Sequence, residues 1–448
     1  MGDTVAAVLD RPEAPSEAPL TLLEPPPRAL GLRDQLGLWS GLGVTLTLPA
    51  VAGYLYSPGT SLLAALAAIV VGSVLGSLLL GASAVVGASL GQPAMVVLRG
   101  LFGRRGSAVP TVLNVAQCLG WTYVEVSVIA TAGHAVAPSV PTWAYALLGG
   151  TLATGMALRP LAAVRLLRRY AVVAVVLATG YLGARVLARP LPAFTAGGTD
   201  GFWPGLDLVL AIPVSWVPLV ADYSRHARTP RSAFLGTAGG FAPACALYFG
   251  LGVLALAAFP GTAGRDGLSA LVALPVAAVA VAVLVLDEVD EAFANLYSTA
   301  VSVQNVAPRL DRRVLAGVVG ALGTGAAVAL GSDYSSYETF LLLIGAVFLP
   351  LTAVLLVTFF VVDRDRWSAG AATRGRVLLG LPWLAGFVAY QLVTPTVLTG
   401  WDGWASWWSA RATDLGLAGH PVWVSASVTS LVVAAALTLA IAPLTRTR

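Results

Sequence analysis

Apolar residues run in blocks of about 18 or more along nearly the whole chain, separated by short polar, Pro-bearing or Arg-bearing connections. That is the pattern of helices that cross a hydrocarbon core. Twelve blocks are predicted, at residues 37–56, 61–88, 111–135, 142–158, 170–188, 206–223, 234–258, 275–306, 314–331, 338–362, 377–396 and 422–443. The eighth is unlike the rest, because Asp287-Glu288-Val289-Asp290-Glu291 interrupts its Ala/Val/Leu run near the middle. As one helix from Pro275 to Val306 it would be roughly 48 Å long, enough to span and protrude. Acids at that depth cost roughly 2.5–3.5 kcal/mol each on insertion scales and mark ion or substrate paths. The competing reading is a short span ending at Leu286, with the acids in an external loop.

Arginine decides between them. The chain has no lysine, and all but four of its 26 basic residues fall in the tails or in alternate connections. The exceptions are Arg185, Arg189, Arg265 and Arg411. The positive-inside rule then predicts a multi-pass protein of the cell (inner) membrane with both termini cytoplasmic. The alternation survives only if 275–306 crosses once, which excludes the loop reading. Composition agrees: 57% of the 448 residues are hydrophobic, 11% are charged, and the mean hydropathy is +0.82. These values exclude a soluble domain. The arginine bias accounts for the net charge of +4, so no nucleic-acid partner is implied, and no obligate protein partner is expected beyond the lipid bilayer.

Residues 1–32 are Pro- and Glu-rich without a core-forming pattern and read as a disordered cytoplasmic tail. Residues 33–448 read as a single polytopic domain. The connection from Gln92 to Phe102 is amphipathic enough to lie along the membrane surface, and Trp401 to Trp408 reads as an interfacial aromatic anchor. Cys118 and Cys245 lie inside predicted spans, and no zinc, nucleotide or nucleophile-elbow motif occurs. No cofactor is expected.

Two spans are interrupted. The first carries Gly37, Gly41, Gly43, Pro49 and Gly53, with Val44, Thr45 and Thr47 among them, and the sixth carries Pro213 and Pro218 around Val214-Ser215-Trp216. They open two successive five-helix blocks, about 33–190 and 204–362, leaving extra helices at about 376–443. Helices broken at corresponding positions of two halves point to a transporter with inverted repeats and a midplane site. The unwound backbone at 43–47 offers carbonyls for a cation and N–H groups for a polar substrate. The third helix of each block supplies side chains. Asn114, Gln117, Cys118, Trp121 and Glu125 share one face of the third span. On the eighth, Asp287, Glu291, Asn295, Ser298 and Ser302 share another, with Glu288 at its edge and Asp290 pointing elsewhere.

Three segments carry a resemblance: Leu113-Asn114-Val115-Ala116-Gln117-Cys118-Leu119-Gly120-Trp121-Thr122; Pro213-Val214-Ser215-Trp216 through Asp222-Tyr223-Ser224-Arg225; and Ala294-Asn295-Leu296-Tyr297 through Asn305-Val306-Ala307-Pro308. In order and spacing they resemble the nucleobase–cation symporter-1 family, which includes cytosine permeases and hydroxymethylpyrimidine transporters. The Gln117/Trp121 spacing looks closest to the hydroxymethylpyrimidine branch. The likeness runs from about Gly31 to Pro308, and the last four spans fit it only generically. It implies an all-α, twelve-helix membrane protein of LeuT-like type, with a substrate site between the first, third, sixth and eighth helices. On this chain the matching positions are Trp121 for ring stacking, Glu125 for hydrogen bonding, Gln117, the break at Pro213, Ser215 and Trp216, and Asn295. Family members with a known cation site use backbone of the first helix and hydroxyls of the eighth. Here that hydroxyl region is Val289-Asp290, which shifts the expected co-transported cation from Na+ toward H+, held by Asp287, Glu288, Asp290 and Glu291.

The expectation is therefore a secondary-active importer of a nucleobase or related aminopyrimidine. An amino-acid or other small-metabolite symporter on the same fold is the alternative. An intramembrane enzyme built on the 287–291 acids is the remote one.

Overall fold

The computed structural model describes residues 18–259, 267–272, 274, 277–331, 337–363, 367, 374–398, 400–401, 403–421 and 423–445. Helices occupy every position where a spanning block was expected. They are α1 (Leu32–Gly41, Thr47–Ala50 and Ala52–Leu55), α2 (Leu62–Leu90), α3 (Ala108–Val136), α4 (Thr142–Leu158), α5 (Pro160–Leu187) and α6 (Phe202–Ser215 and Val217–Ser224). There follow α7 (Pro230–Ala258), α8 (Ala277–Val306), α9 (Arg312–Leu330), α10 (Tyr337–Val357), α11 (Gly380–Val393) and α12 (Ala426–Thr445). Eight helices among the described residues are long and apolar enough to cross a membrane. Of the other four, α1 is broken, α4 has 17 residues, α5 has a shorter apolar stretch at Val173–Leu187, and α8 carries the four acids. Pro275, the expected start of α8, lies outside the described residues, as do residues 1–17 and the 261–266 connection.

The packing is symmetric under exchange of two five-helix blocks. Helix α2 packs on α7, α3 on α8 and α4 on α9, each on its counterpart five places along. Likewise α1 lies against α7 as α6 lies against α2, and α4 against α8 as α9 against α3. An odd number of crossings per block makes the two run in opposite directions, so the relation is an inverted repeat. Small residues set the closest approach. A Cβ on Gly76 of α2 would overlap Pro213 in the α6 break, so only glycine admits that proline. Beyond the repeats, α11 and α12 pack on each other, and Asp207 of α6 caps α12 by accepting from the Ala426 and Ser427 N–H groups at 3.1 and 3.0 Å.

One end of the molecule gathers the arginines, and they bind helix ends as well as biasing charge. Arg28 donates to Ala88 O at the end of α2, and Arg376 donates to Gly100 O and pairs with Asp363. Arg312 donates to Ala157 O and Leu158 O at the end of α4, at 2.6 and 3.3 Å. Free carbonyls at helix C-termini are natural partners for guanidinium groups. The same face corrects two expectations. Residues 18–31, placed in a disordered tail, form an ordered strap. Leu20 O accepts from the Arg312 N–H at 2.9 Å and from Gln304 at 2.6 Å, while Leu30 exchanges backbone bonds with His226 and Arg228, both at 2.9 Å. His226 Nδ1 donates to Pro27 O at 3.0 Å, and burial beside Arg225 holds this imidazole well below its ordinary value. The 92–102 connection, expected to be amphipathic, is almost wholly buried in the protein. Its helices Ala94–Val97 and Arg99–Gly106 bury Met95, Val97, Leu101 and Phe102, and the Ala94 N–H donates to Asp222 Oδ1 at 2.9 Å.

Candidate functional site

Helix α1 ends its first half at Gly41 and restarts at Thr47, so residues 42–46 leave backbone groups without intrahelical partners. On the N-terminal side of the restart, those groups are claimed by α8. The Glu288 carboxylate accepts the Leu46 N–H at 2.8 Å, the Thr45 hydroxyl at 2.7 Å and the Thr47 hydroxyl at 3.0 Å. Thr45 Oγ1 in turn accepts the Thr47 N–H at 3.1 Å. Glu288 therefore caps the second half of α1 from another helix. The expectation that these N–H groups face substrate does not hold for Leu46 and Thr47. The remaining break residues fix the crossing. Gly43 sits where a Cβ would meet Ala244 of α7 at 2.8 Å, and the Val44 N–H donates to Gly41 O at 2.8 Å.

Across the chamber, α3 presents its polar stripe. Asn114 Nδ2 donates to Ser302 Oγ at 2.8 Å, tying α3 to α8. Gln117 Nε2 donates to Asn114 Oδ1 at 2.8 Å and to Ser215 O at 3.0 Å, so the carbonyl freed by the α6 break is satisfied by α3. Farther along, Glu125 Oε2 lies 3.1 Å from Thr47 Oγ1. Glu125, Thr47 and Glu288 thus join α3, the α1 break and α8 in one chain of polar contacts.

These elements enclose a chamber lined by Leu42, Thr45, Thr47, Leu48, Trp121, Glu125, Ile212, Ser215, Trp216, Leu219, Glu291, Asn295 and Tyr337. Its cavity volume is about 10 Å³, so the side chains close around a space of roughly one water. Aromatic rings pack around it on two sides. Toward the end away from the arginines, Tyr337 and Phe340 of α10 pack edge-on against Trp121 at 5.7 and 5.5 Å. Toward the arginine-rich end, Trp216 packs against Trp39 and Phe241, and Trp39 against Tyr223, at 6.0–6.3 Å. Several buried polar atoms on the walls have no protein partner among the described residues: Trp121 Nε1, Glu291 Oε1 and Tyr337 Oη. Buried polar atoms are nearly always hydrogen-bonded, so these three are the groups left to a ligand. Asn295 Nδ2 is engaged with Glu291 O at 3.0 Å.

Of the residues singled out from the sequence, the chamber brings together Thr45, Thr47, Trp121, Glu125, Ser215, Trp216, Glu291 and Asn295. Gln117 lies behind this wall, Pro213 faces α2, and Gly43 faces α7. The acids divide. Glu291 lines the chamber and Glu288 holds the α1 break. Asp290 approaches Gly41 so closely that a Cβ there would lie 3.0 Å from its Oδ2. Asp287 lies off the chamber, near Tyr248 of α7. Among the described residues the ion pairs are Arg376–Asp363 and Arg411–Asp414, and neither touches these acids. Leu42, Leu48, Ile212, Leu219 and Tyr337 were not anticipated. The four aliphatic residues carry no local signal, and Tyr337 stands at the start of an ordinary apolar helix.

The chain and its fold are similar to those of known proteins. Residues 26–376, most of the chain, match the family described as permease for cytosine/purines, uracil, thiamine and allantoin. The fold is similar to that of Mhp1, a nucleobase-cation-symport-1 family transporter, in a closed conformation with bromovinylhydantoin bound. The TM-score is 0.70 at 16% identity, covering 95% of this chain and 94% of that one. An inward-facing conformation of Mhp1 gives a TM-score of 0.67 at 16% identity, covering 96% and 93%. A Na+-coupled sialic acid symporter gives 0.52 at 12% identity, covering 92% and 97%. No curated protein matches the chain significantly by sequence.

Proposed function

The chain belongs to the family of permeases for cytosine/purines, uracil, thiamine and allantoin, and from that premise we propose that it imports a flat amino-heterocycle by symport with protons. The observation that carries this reading is the chamber at the two helix breaks, where indoles of Trp121 and Trp216 stand beside the Glu125 and Glu291 carboxyls. An indole face is a stacking platform for any planar ring. Carboxyl oxygens complement an amino group and an adjoining ring N–H, the edge of a cytosine- or adenine-like base, better than a diketo edge. Trp121, Glu125, Glu291, Ser215 and Asn295 are the proposed substrate contacts. The Trp121 indole N–H and the Tyr337 hydroxyl supply donors for a ring nitrogen or carbonyl.

The cation follows from charge bookkeeping. Four ionised carboxylates at midplane cost roughly 10–14 kcal/mol on insertion scales, and Glu125 adds a fifth. Glu288 has three donors to offset its charge. Asp287 Oδ2, Asp290 Oδ1 and Glu291 Oε1 have none among the described residues. Protons supply the balance. A sodium ion at Asp290 beside the α1 break is the competing source, and transport measurements separate the two. The arginine-rich face is proposed as cytoplasmic, at the cell membrane, with both termini on that side.

The substrate reading is tested by competition. Uptake of labelled cytosine into proteoliposomes should be inhibited by cytosine, adenine or hydroxymethylpyrimidine and left unaffected by aliphatic amino acids. Inhibition by aliphatic amino acids with none by planar rings would overturn it.

A further inference from the structure

The proton-symport reading is the premise here, and a single hydroxyl joins its parts. Thr47 Oγ1 lies 3.0 Å from Glu288 Oε1 and 3.1 Å from Glu125 Oε2. A hydroxyl has one proton to give and an ionised carboxylate has none. One proton cannot serve both contacts fully, so both are full hydrogen bonds only when one of the two carboxyls, which also interact directly, carries a proton. Glu288 already accepts the Thr45 hydroxyl and the Leu46 N–H, so it is the acceptor for Thr47 as well. The additional proton then sits on Glu125 Oε2, which donates to a lone pair of Thr47 Oγ1.

We propose that Thr47 is the residue that couples proton binding at Glu125 to the position of the α1 break. A proton bound to Glu125 Oε2 completes the chain Glu125–Thr47–Glu288 and fastens α3 to the second half of α1. When Glu125 releases that proton to water, its O–H bond breaks and a carboxylate remains. Two carboxylates then compete for one hydroxyl proton, Glu288 keeps it, and the contact between α1 and α3 becomes repulsive. Glu288 holds the break to α8 in both states. Protonation therefore decides whether α3 joins α8 in gripping α1, and a substrate bound at Glu125 biases the same choice.

The surroundings suit this role. The titratable groups that interact electrostatically with Glu125 are Glu288, Asp290 and Glu291 of α8 and Tyr337 of α10; Asp287 interacts with Glu291 and Tyr248. On α7, Cys245 adjoins Tyr337. The described ion pairs leave Glu125 without an arginine partner. Unpartnered polar atoms at Glu291, Tyr337 and Trp121, each more than nine-tenths buried, face the chamber that Glu125 and Thr47 also line. A ligand is thus read by the same carboxyl that holds the proton. Thr47 acts through Glu125 and Glu288 and is a positioning residue.

The test uses the full chain in sodium-free proteoliposomes, with the labelled ring that the wild type takes up best among cytosine, adenine, guanine, uracil and hydroxymethylpyrimidine. Two readouts are needed: exchange at equal pH on both sides, and accumulation driven by a pH gradient. Thr47→Ser should behave as the wild type within about twofold, since it keeps the hydroxyl. Thr47→Val should retain exchange, lose its pH dependence and accumulate at least tenfold less. Glu125→Gln, whose amide donates to Thr47 permanently, also alters a proposed substrate contact, so its exchange should be weaker than wild type, with a flat pH profile and no accumulation. Wild-type accumulation by Thr47→Val, or a wild-type pH profile of exchange in Glu125→Gln, would overturn the proposal. If Thr47→Val proves too unstable to exchange, Thr47→Ala takes its place, with the same expected and overturning results. A wild type indifferent to the pH gradient would instead remove the proton reading on which the proposal rests.

Discussion

The Glu288 carboxylate accepts the backbone N–H of Leu46 at 2.8 Å, so a helix of the second repeat caps the broken helix of the first. Removing that cap tests its structural role. Glu288→Ala strands the Leu46 N–H and two threonine hydroxyls, at about 1–3 kcal/mol for each buried group left unsatisfied. The measured outcome is a clear fall in Tm in detergent, with Glu288→Gln losing less because it keeps one acceptor oxygen. An unchanged Tm in the alanine variant would mean that the break holds itself.

Trp121 is the proposed ring platform, held edge-on by Tyr337 and Phe340. Base–aromatic stacking is worth about 1–3 kcal/mol by alanine substitution. Trp121→Ala should therefore raise the half-saturating concentration for uptake about tenfold or more. Wild-type affinity in that variant would place the ring elsewhere.

Gly76 lets Pro213 of the α6 break approach α2. Gly76→Leu inserts side-chain volume into that contact, and overpacking of this kind costs about 1–3 kcal/mol. Lower Tm and reduced yield of folded protein are expected, while a leucine at a lipid-facing position such as Val70, 55% exposed, should be neutral.

His226 gives the strap a pH dependence whose sign is fixed. Its folded-state value lies well below the ordinary 6.5, because burial beside Arg225 disfavours the imidazolium. As pH falls below about 6.5 the unfolded chain binds a proton that the folded one refuses, so this group's contribution to stability declines toward acid. His226→Asn should flatten that part of the Tm-versus-pH curve. A wild-type slope in the variant would assign the acid sensitivity to other groups.

How much of this was legible in the sequence differs by element. The spanning blocks were, because a run of apolar residues must be helical in lipid whatever its neighbours. The breaks at 42–46 and 215–216 were, because Gly and Pro interrupt a helix locally. The role of Glu288 was not. A helical wheel ranks it at the edge of a stripe defined by Asp287 and Glu291, and its partners, Thr45, Leu46 and Thr47, belong to a distant segment whose geometry the wheel does not contain. The strap at 18–31 was read as disordered for a related reason. Its own composition offers little to bury, and it is held through its backbone by His226, Arg228, Gln304 and Arg312. Tyr337 entered the chamber by tertiary packing alone.

The orientation in the membrane is open to direct labelling. Asp311→Cys, in the basic cluster at 309–313, should react with a membrane-impermeant thiol reagent in inverted vesicles and stay unreactive in intact cells. Reaction from outside intact cells would reverse the topology.

In the proposed function, protons drive the uptake of a planar heterocycle through the Trp121–Glu125 chamber. This is tested most directly by loading sodium-free proteoliposomes at alkaline pH, diluting them into acidic buffer, and following a labelled ring from the cytosine, adenine and hydroxymethylpyrimidine series. Proton symport should give transient accumulation above the external concentration that a protonophore abolishes. Uptake that ignores the pH gradient and requires sodium would contradict it and assign Asp290 and its neighbours to a sodium ion.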